Sequence, residues 1–181
     1  VRPRVAGAIE SDTGLPAEAV QTVCQDAAGG LWAVLQYGSL ARGRGGKWSV
    51  MGKADGWPGG VAICVAPARD GGVWVGMGDH GLLRWREGKT EAWGPENGYD
   101  IRSVRSLLAA ANGDVWIVTD WPNRLRVFRD GRLLDVKAPA NMQAMIALAE
   151  TPDGKIWAGT SNGRLFGVRN LRLVREDAAV P

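Results

Sequence analysis

Trp32, Trp74, Trp116 and Trp157 stand 42, 42 and 41 residues apart, each inside the same local phrase. A fixed period in this range marks an array of like units, because one small unit cannot bury its own apolar faces and must stack on its neighbours. The phrase can be followed in columns counted back from each tryptophan. Eighteen residues before it lie Gly14, Gly56, Gly98 and Pro139, and sixteen before lie Pro16, Pro58, Asp100 and Asn141, turn formers that predict a loop. An apolar run follows, bounded by Val20 and Val23, Ala62 and Val65, Val104 and Leu107, and Met145 and Leu148, which predicts a short buried strand. Then Ala28-Gly29, Asp70-Gly71, Asn112-Gly113 and Asp153-Gly154 predict a hairpin, and the returning strand carries the tryptophan.

The register persists downstream, with Leu40, Leu82 and Leu165 eight residues after their tryptophans and Leu125 nine after its own. Arg42, Arg84 and Arg126, ten residues after, alternate with apolar neighbours and are expected to point outward from a third strand into solvent. A further turn leads to a fourth strand around Trp48–Val50, Glu91–Trp93, Leu133–Val136 and Leu171–Val174. Four short antiparallel strands in about 42 residues match the blade of a β-propeller. The expected fold is therefore all-β, with blades over residues 11–53, 54–95, 96–137 and 138–176. Residues 1–10 are expected to supply the last strand of a preceding blade, so that 1–181 is one propeller segment cut from a larger ring; a closed four-bladed ring is the alternative. The four tryptophans are expected to wedge adjacent sheets together, and Gly29, Gly71, Gly113 and Gly154 to turn the hairpins.

Composition narrows the function classes. The 22 basic and 19 acidic residues leave a net charge of +3, too mild for a nucleic-acid binder, and the arginines follow the repeat around the array without forming a stripe. The longest apolar runs, such as Val61 to Ala68, are far too short to span a membrane. No glycine-rich segment opens a helix, which removes a phosphate-binding loop. His80, the single histidine, sits beside Asp79 on a loop without the further ligands or nucleophile that metal or catalytic chemistry needs. Cys24 and Cys64 have no zinc or redox spacing and are expected to serve as small buried apolar groups, with a disulfide between them left open. No cofactor and no catalytic residue are expected.

The wording of the unit also carries a resemblance. Gly14-Leu15-Pro16, Val20, Val23, Asp26, Gly29 and Leu31-Trp32 resemble the two-component regulator propeller repeat, and Asp153-Gly154-Lys155-Ile156-Trp157-Ala158-Gly159-Thr160 with Asn162-Gly163 and Leu165 matches its middle best. The resemblance covers residues 11 to 175. It implies the extracytoplasmic, periplasmic input domain of a membrane-bound sensor, in a propeller commonly of seven blades, linked to a kinase or another output module. Some members respond to oligosaccharides. Departures at Trp57, Tyr99-Asp100, Ala138-Pro139-Ala140 and Val118-Thr119 leave the fold intact while loosening any inherited ligand preference.

In a propeller, the loops joining strands two and three and the connections from each fourth strand to the next blade emerge around one mouth, where binding residues concentrate. Here they carry Gln36 and Tyr37, Trp57, Asp79 and His80, Tyr99 and Asp100, Trp121 and Asn123, Asn141, and Ser161 and Asn162. Aromatic platforms beside amides and carboxylates suit an oligosaccharide or another small ligand; the plainer reading makes the polar residues turn formers and the aromatics caps on the core. The expected function is ligand sensing without catalysis. A propeller enzyme of the lactonase or virginiamycin-lyase type, and a scaffold whose partner is another protein or a second protomer, are the alternatives.

Overall fold

The computed structural model describes residues 13–176, and the strand expected at residues 1–10 lies outside them. Sixteen strands form four sheets. Sheet 1 holds β1 (Val20–Gln25), β2 (Leu31–Leu35), β3 (Leu40–Arg44) and β4 (Lys47–Val50). Sheet 2 holds β5 (Ala62–Pro67), β6 (Val73–Met77), β7 (Leu82–Arg86) and β8 (Lys89–Trp93). Sheet 3 holds β9 (Val104–Ala109), β10 (Val115–Asp120), β11 (Asn123–Arg129) and β12 (Arg132–Asp135), and sheet 4 holds β13 (Met145–Glu150), β14 (Ile156–Thr160), β15 (Leu165–Arg169) and β16 (Arg172–Arg175). Within every sheet the strands pair antiparallel in chain order.

The hairpins form where the glycines predict them, as three-residue loops. Asp26 N–H donates to the Gly30 carbonyl and Gly29 N–H to the Asp26 carbonyl, and the same pair of bonds closes Ala68–Gly72, Ala110–Asp114 and Thr151–Lys155. The loops need a left-handed residue before the second strand, which Gly29, Gly71, Gly113 and Gly154 supply at φ of 81°, 87°, 97° and 78°.

Alternation along the strands gives each sheet two apolar faces. The forward face carries the repeating tryptophan and packs on the rear face of the next sheet. Trp32, Val34 and Leu40 of sheet 1 meet Val65, Val73, Val75 and Trp85 of sheet 2 in one cluster. Trp74 and Leu82 meet Val104, Ile117 and Phe128 in a second. Trp116, Val118 and Leu125 meet Ile156, Ala158 and Phe166 in a third. The innermost strands β1, β5, β9 and β13 pack side by side in succession, so the sheets fan about a common centre. Among the described residues, those of sheets 1 and 4 make no comparable contact.

The third-strand arginines depart from expectation, because none of the three is a solvated surface group. Arg42 lies 4.7 Å from the Trp32 ring and 4.8 Å from the Trp85 ring, sandwiched between sheets 1 and 2. Arg84 lies over Trp74 at 5.5 Å and is paired with Asp70. Arg126 is only 4% exposed and stands on the opposite face from the other two. A charged head over an indole face is attracted by the ring quadrupole and hides its stem, so Arg42, held between Trp32 and Trp85, clamps sheet 1 to sheet 2.

Candidate functional site

Backbone hydrogen bonds stitch the second-to-third-strand loops to the interblade connections, which brings the predicted loop set onto one face. Ala62 N–H donates to Gly38 O, Gly78 N–H to Val61 O, and Ser103 N–H to Gly78 O. Asp120 N–H donates to Ser103 O and Ser161 N–H to Ala144 O in the same way. The loops are therefore a continuous rim held by the scaffold.

Side chains on that rim divide into two groups. Tyr37 is 74% exposed and Trp121 83% exposed, the latter on the two-residue link Trp121–Pro122 between β10 and β11, whose peptide bond is cis. These two rings face solvent. Trp57 does not reach the surface: it is 4% exposed and packs in the core with Met51 and Met77. Tyr99 is half-buried against the core between sheets 2 and 3. The plainer reading thus describes Trp57 and Tyr99 and does not describe Trp121.

The polar candidates are largely engaged. Asp79 accepts from the backbone N–H of His80, whose ring lies 3.6 Å from the carboxylates of both Asp79 and Glu96. Asp100 is bridged by Arg126 and lies 3.5 Å from Arg124; the hydrogen bond from Arg126, with its charge and that of Arg124, holds the Asp100 carboxyl below its usual range. Asn123 donates to the Gln143 carbonyl and accepts from Met145 N–H, pinning the connection into sheet 4. Asn141 takes a left-handed conformation at φ 60°, and Asn162 accepts from the Thr160 hydroxyl within its own turn. Among the described residues no cluster of three or more histidine, cysteine or carboxylate side chains could hold a metal ion.

Two grooves collect the predicted residues. One, of about 290 Å³, lies along Tyr37, Val50, Lys53, Trp57 and Pro58. The other, of about 140 Å³, brings Asn141 and Asn162 together beside Gln143, Arg164 and Phe166. A larger cleft of about 500 Å³ opens elsewhere, between the outer strands of sheets 1 and 2, where Arg42, Arg44 and Lys47 face Asp55 and Glu87. Sequence reasoning missed it. Its signal was the arginine column, whose second role as interblade clamp depends on which neighbouring sheet lies above it.

Both cysteines are free, and burial pushes the Cys24 and Cys64 thiols up to about 12, so neither is a poised nucleophile. No described helix is long and apolar enough to cross a membrane.

No protein-family model matches the chain, and no curated protein matches it. Solved structures do. A catalytically inactive virginiamycin B lyase from Staphylococcus aureus with quinupristin superposes with a TM-score of 0.72 at 16% identity, over 92% of this chain and 59% of the lyase. The extracellular domain of the hybrid two-component system BT3049 from B. thetaiotaomicron superposes with a TM-score of 0.71 at 16% identity, over 94% of this chain and 26% of that one. The corresponding domain of BT4673 gives 0.64 at 25% identity, over 83% and 21%. The chain thus spans 59% of the lyase and about a quarter of the sensor chains. Extracellular sensor domains and a lyase share the same fan of sheets, and the described residues fold as four four-stranded blades of the β-propeller kind.

Proposed function

We propose that this segment is the ligand-recognition part of an extracytoplasmic sensor of the two-component type, acting by binding and without catalysis. The observation that carries the reading is the exposure of Tyr37 and Trp121, at 74% and 83%, on a rim that is otherwise pinned by hydrogen bonds. A propeller that buries Trp32, Trp57, Trp74 and Trp116 in its core leaves these two rings in water. Exposed flat rings held by a rigid frame are suited to stacking on the apolar faces of sugar rings, while Asn141, Asn162 and Gln143 offer amide partners for hydroxyls. The resemblance of the repeat and the likeness to two extracellular sensor domains support the same reading. Signalling would follow from a ligand that binds two packings of the propeller against its neighbour with different affinity.

A thermal-shift screen against oligosaccharides tests it. A binder present at 100 times its dissociation constant adds about 2.7 kcal/mol to the folded state. Trp121→Ala, at an exposed position, should abolish that shift without lowering the melting temperature of the free protein. Silence across carbohydrates would remove the ligand class. Turnover of lactones or of streptogramin-type cyclic peptides by the isolated chain would replace the reading with the enzymatic alternative.

A further inference from the structure

The third strands of sheets 1 and 2 carry the same pair of arginines, Arg42 and Arg44 ten and twelve residues after Trp32, and Arg84 and Arg86 ten and twelve after Trp74. Their surroundings differ. In sheet 2 the Asp70 carboxylate lies between the pair, in contact with Arg84 and 3.1 Å from Arg86, and Glu91 on the neighbouring strand stands 3.7 Å from Arg84. Sheet 1 has neither acid. Ala28 stands four residues before Trp32, where Asp70 stands before Trp74, and Ser49 pairs with Arg42 where Glu91 pairs with Arg84. Lys47 lies opposite Arg44 as Lys89 lies opposite Arg86, so the cations of the arrangement are kept and its two carboxylates are gone.

Asp26 does not take their place. Its carboxylate already accepts from Ala28 N–H, Gly30 N–H and the Trp32 indole, and it stands 3.9 Å from Arg42 Nη2, beyond hydrogen-bond distance. Arg42 Nε is buried with no hydrogen-bond partner among the described residues. Burial, and after it the charge of Arg44, holds the Arg42 guanidinium pKa below its usual value although Asp26 and Asp55 lie near. An anion between the two arginines would relieve that repulsion. The cleft of about 500 Å³ opens at this point, with Met51 and Trp85 in its wall, and its size suits a small molecule. Because Trp32 and Trp85 cover the faces of the Arg42 guanidinium, a ligand meets its edge, the approach by which a carboxylate pairs with arginine. The far wall carries Asp55 and Glu87, which repel a second anion and favour a donor.

We propose that this cleft binds a small organic carboxylate bearing an ammonium or hydroxyl donor at its other end, an amino or hydroxy acid, with the carboxylate between Arg42 and Arg44 as Asp70 lies between Arg84 and Arg86. The cleft shares only Met51 with the groove at Tyr37, so its failure would leave the sensing reading of the rim in place.

Nitrogen-edited NMR titrations at constant ionic strength test it with three probes that differ at one end, benzoate, para-(aminomethyl)benzoate and terephthalate. Benzoate should shift the Arg42 and Arg44 side-chain Nε–H signals saturably. The aminomethyl compound should bind about tenfold more tightly, the worth of one charge-assisted hydrogen bond, and terephthalate more weakly than benzoate. Arg44→Ala, at an exposed position, should weaken benzoate by a similar factor. Ala28→Asp is the decisive arm, because it rebuilds the sheet 2 arrangement in a hairpin whose counterparts already read Asp70-Gly71 and Asp153-Gly154. That variant should keep its melting temperature and lose the benzoate response. No saturable shift, an affinity unchanged in Arg44→Ala, a folded Ala28→Asp that still binds, terephthalate as the tightest probe, or inorganic phosphate binding as tightly as benzoate would each overturn the proposal.

Discussion

The interface between sheets 1 and 2 and the one between sheets 3 and 4 fill the same place in the fold with different chemistry. In the first, the Trp32 indole N–H donates to Asp26 at 2.9 Å, Arg42 lies on the ring, and Trp85 closes the far side. In the second, Ala110 stands where Asp26 would be, Val127 faces Trp116 across the strand pair, and Val168 occupies the place of Trp85. The Trp116 indole N–H has no protein acceptor among the described residues. The cause of the arginine's absence is one residue. Leu125 follows Trp116 by nine positions and not eight, and a shift of one residue in a strand moves every following side chain to the opposite face. Arg126 consequently points rearward, where its guanidinium meets Asp135 at 2.8 Å and Asp100 at 3.1 Å. Apolar filling around the indole is common to both interfaces and specifies the packing; the ionic shell is an addition that only the first retains in full.

Deleting the shared part should have the largest effect. Trp32→Ala removes a fully buried ring at the first interface and is expected to cost about 3–5 kcal/mol, the usual range for truncating a buried large aromatic. Trp157→Ala, which removes a ring only half-buried, should cost clearly less. Urea denaturation of both variants checks the comparison, and equal losses would show that the column does not act as an interblade wedge.

The ionic shell comes next. Burial alone would raise the Asp26 pKa, but hydrogen bonds from Trp32, Gly30 and Ala28, with Arg42 nearby, win and hold the carboxyl below its usual range. A carboxyl depressed in the folded state contributes stability that is present above its unfolded pKa of about 3.9 and lost as pH falls through the lower folded value. Asp26→Asn should therefore destabilise by about 1–3 kcal/mol at pH 7, the cost of weakening a charge-assisted hydrogen-bond set. Its loss of stability below about pH 4 should also be shallower than that of the wild type. Identical acid limbs in melts between pH 2 and 7 would assign that stability to other groups, of which Asp114, held low by Arg129, is the first to examine.

This difference between interfaces also marks what the sequence could disclose. The tryptophan column and the turn glycines were legible because each obeys a local demand, a buried ring every blade and a left-handed residue every hairpin. The arginine column was not, since its face depends on a single added residue near Trp121–Pro122 and its environment on the neighbouring sheet. The rim shows the same limit. Trp57 and Trp121 occupy similar loop contexts in the chain, yet one is 4% and the other 83% exposed. The long connection from β4 to β5 folds Trp57 inward: Gly56 takes φ 72°, and a Cβ there would meet the Gly88 carbonyl at 1.9 Å, so the connection lies flat on sheet 2. The two-residue link at Trp121 has no length to fold back.

The smallest effect is a gain, and it asks whether the richer interface can be transplanted. The loop at Ala110–Asp114 closes with the same backbone bonds as Asp26–Gly30, so a carboxylate at position 110 would lie below the Trp116 indole as Asp26 lies below Trp32. Gly30 leaves room for the Asp26 carboxylate, which a Cβ there would meet at 2.8 Å, whereas Asp114 carries that Cβ and a buried carboxylate of its own; Ala110→Asp combined with Asp114→Gly therefore gives the orphaned indole N–H an acceptor and, in the geometry of the first loop, two backbone N–H groups. The desolvation of the new charge opposes this, and the three hydrogen bonds that hold Asp26 ionised despite its burial indicate that they outweigh it. The expected outcome is a stabilisation of about 1 kcal/mol at pH 7 relative to Asp114→Gly alone, near the net worth of one buried hydrogen bond, that disappears at pH 3. A double variant less stable than Asp114→Gly alone at pH 7 would show that the Arg42 cation, absent from the third interface, is what makes a buried carboxylate tolerable at the first.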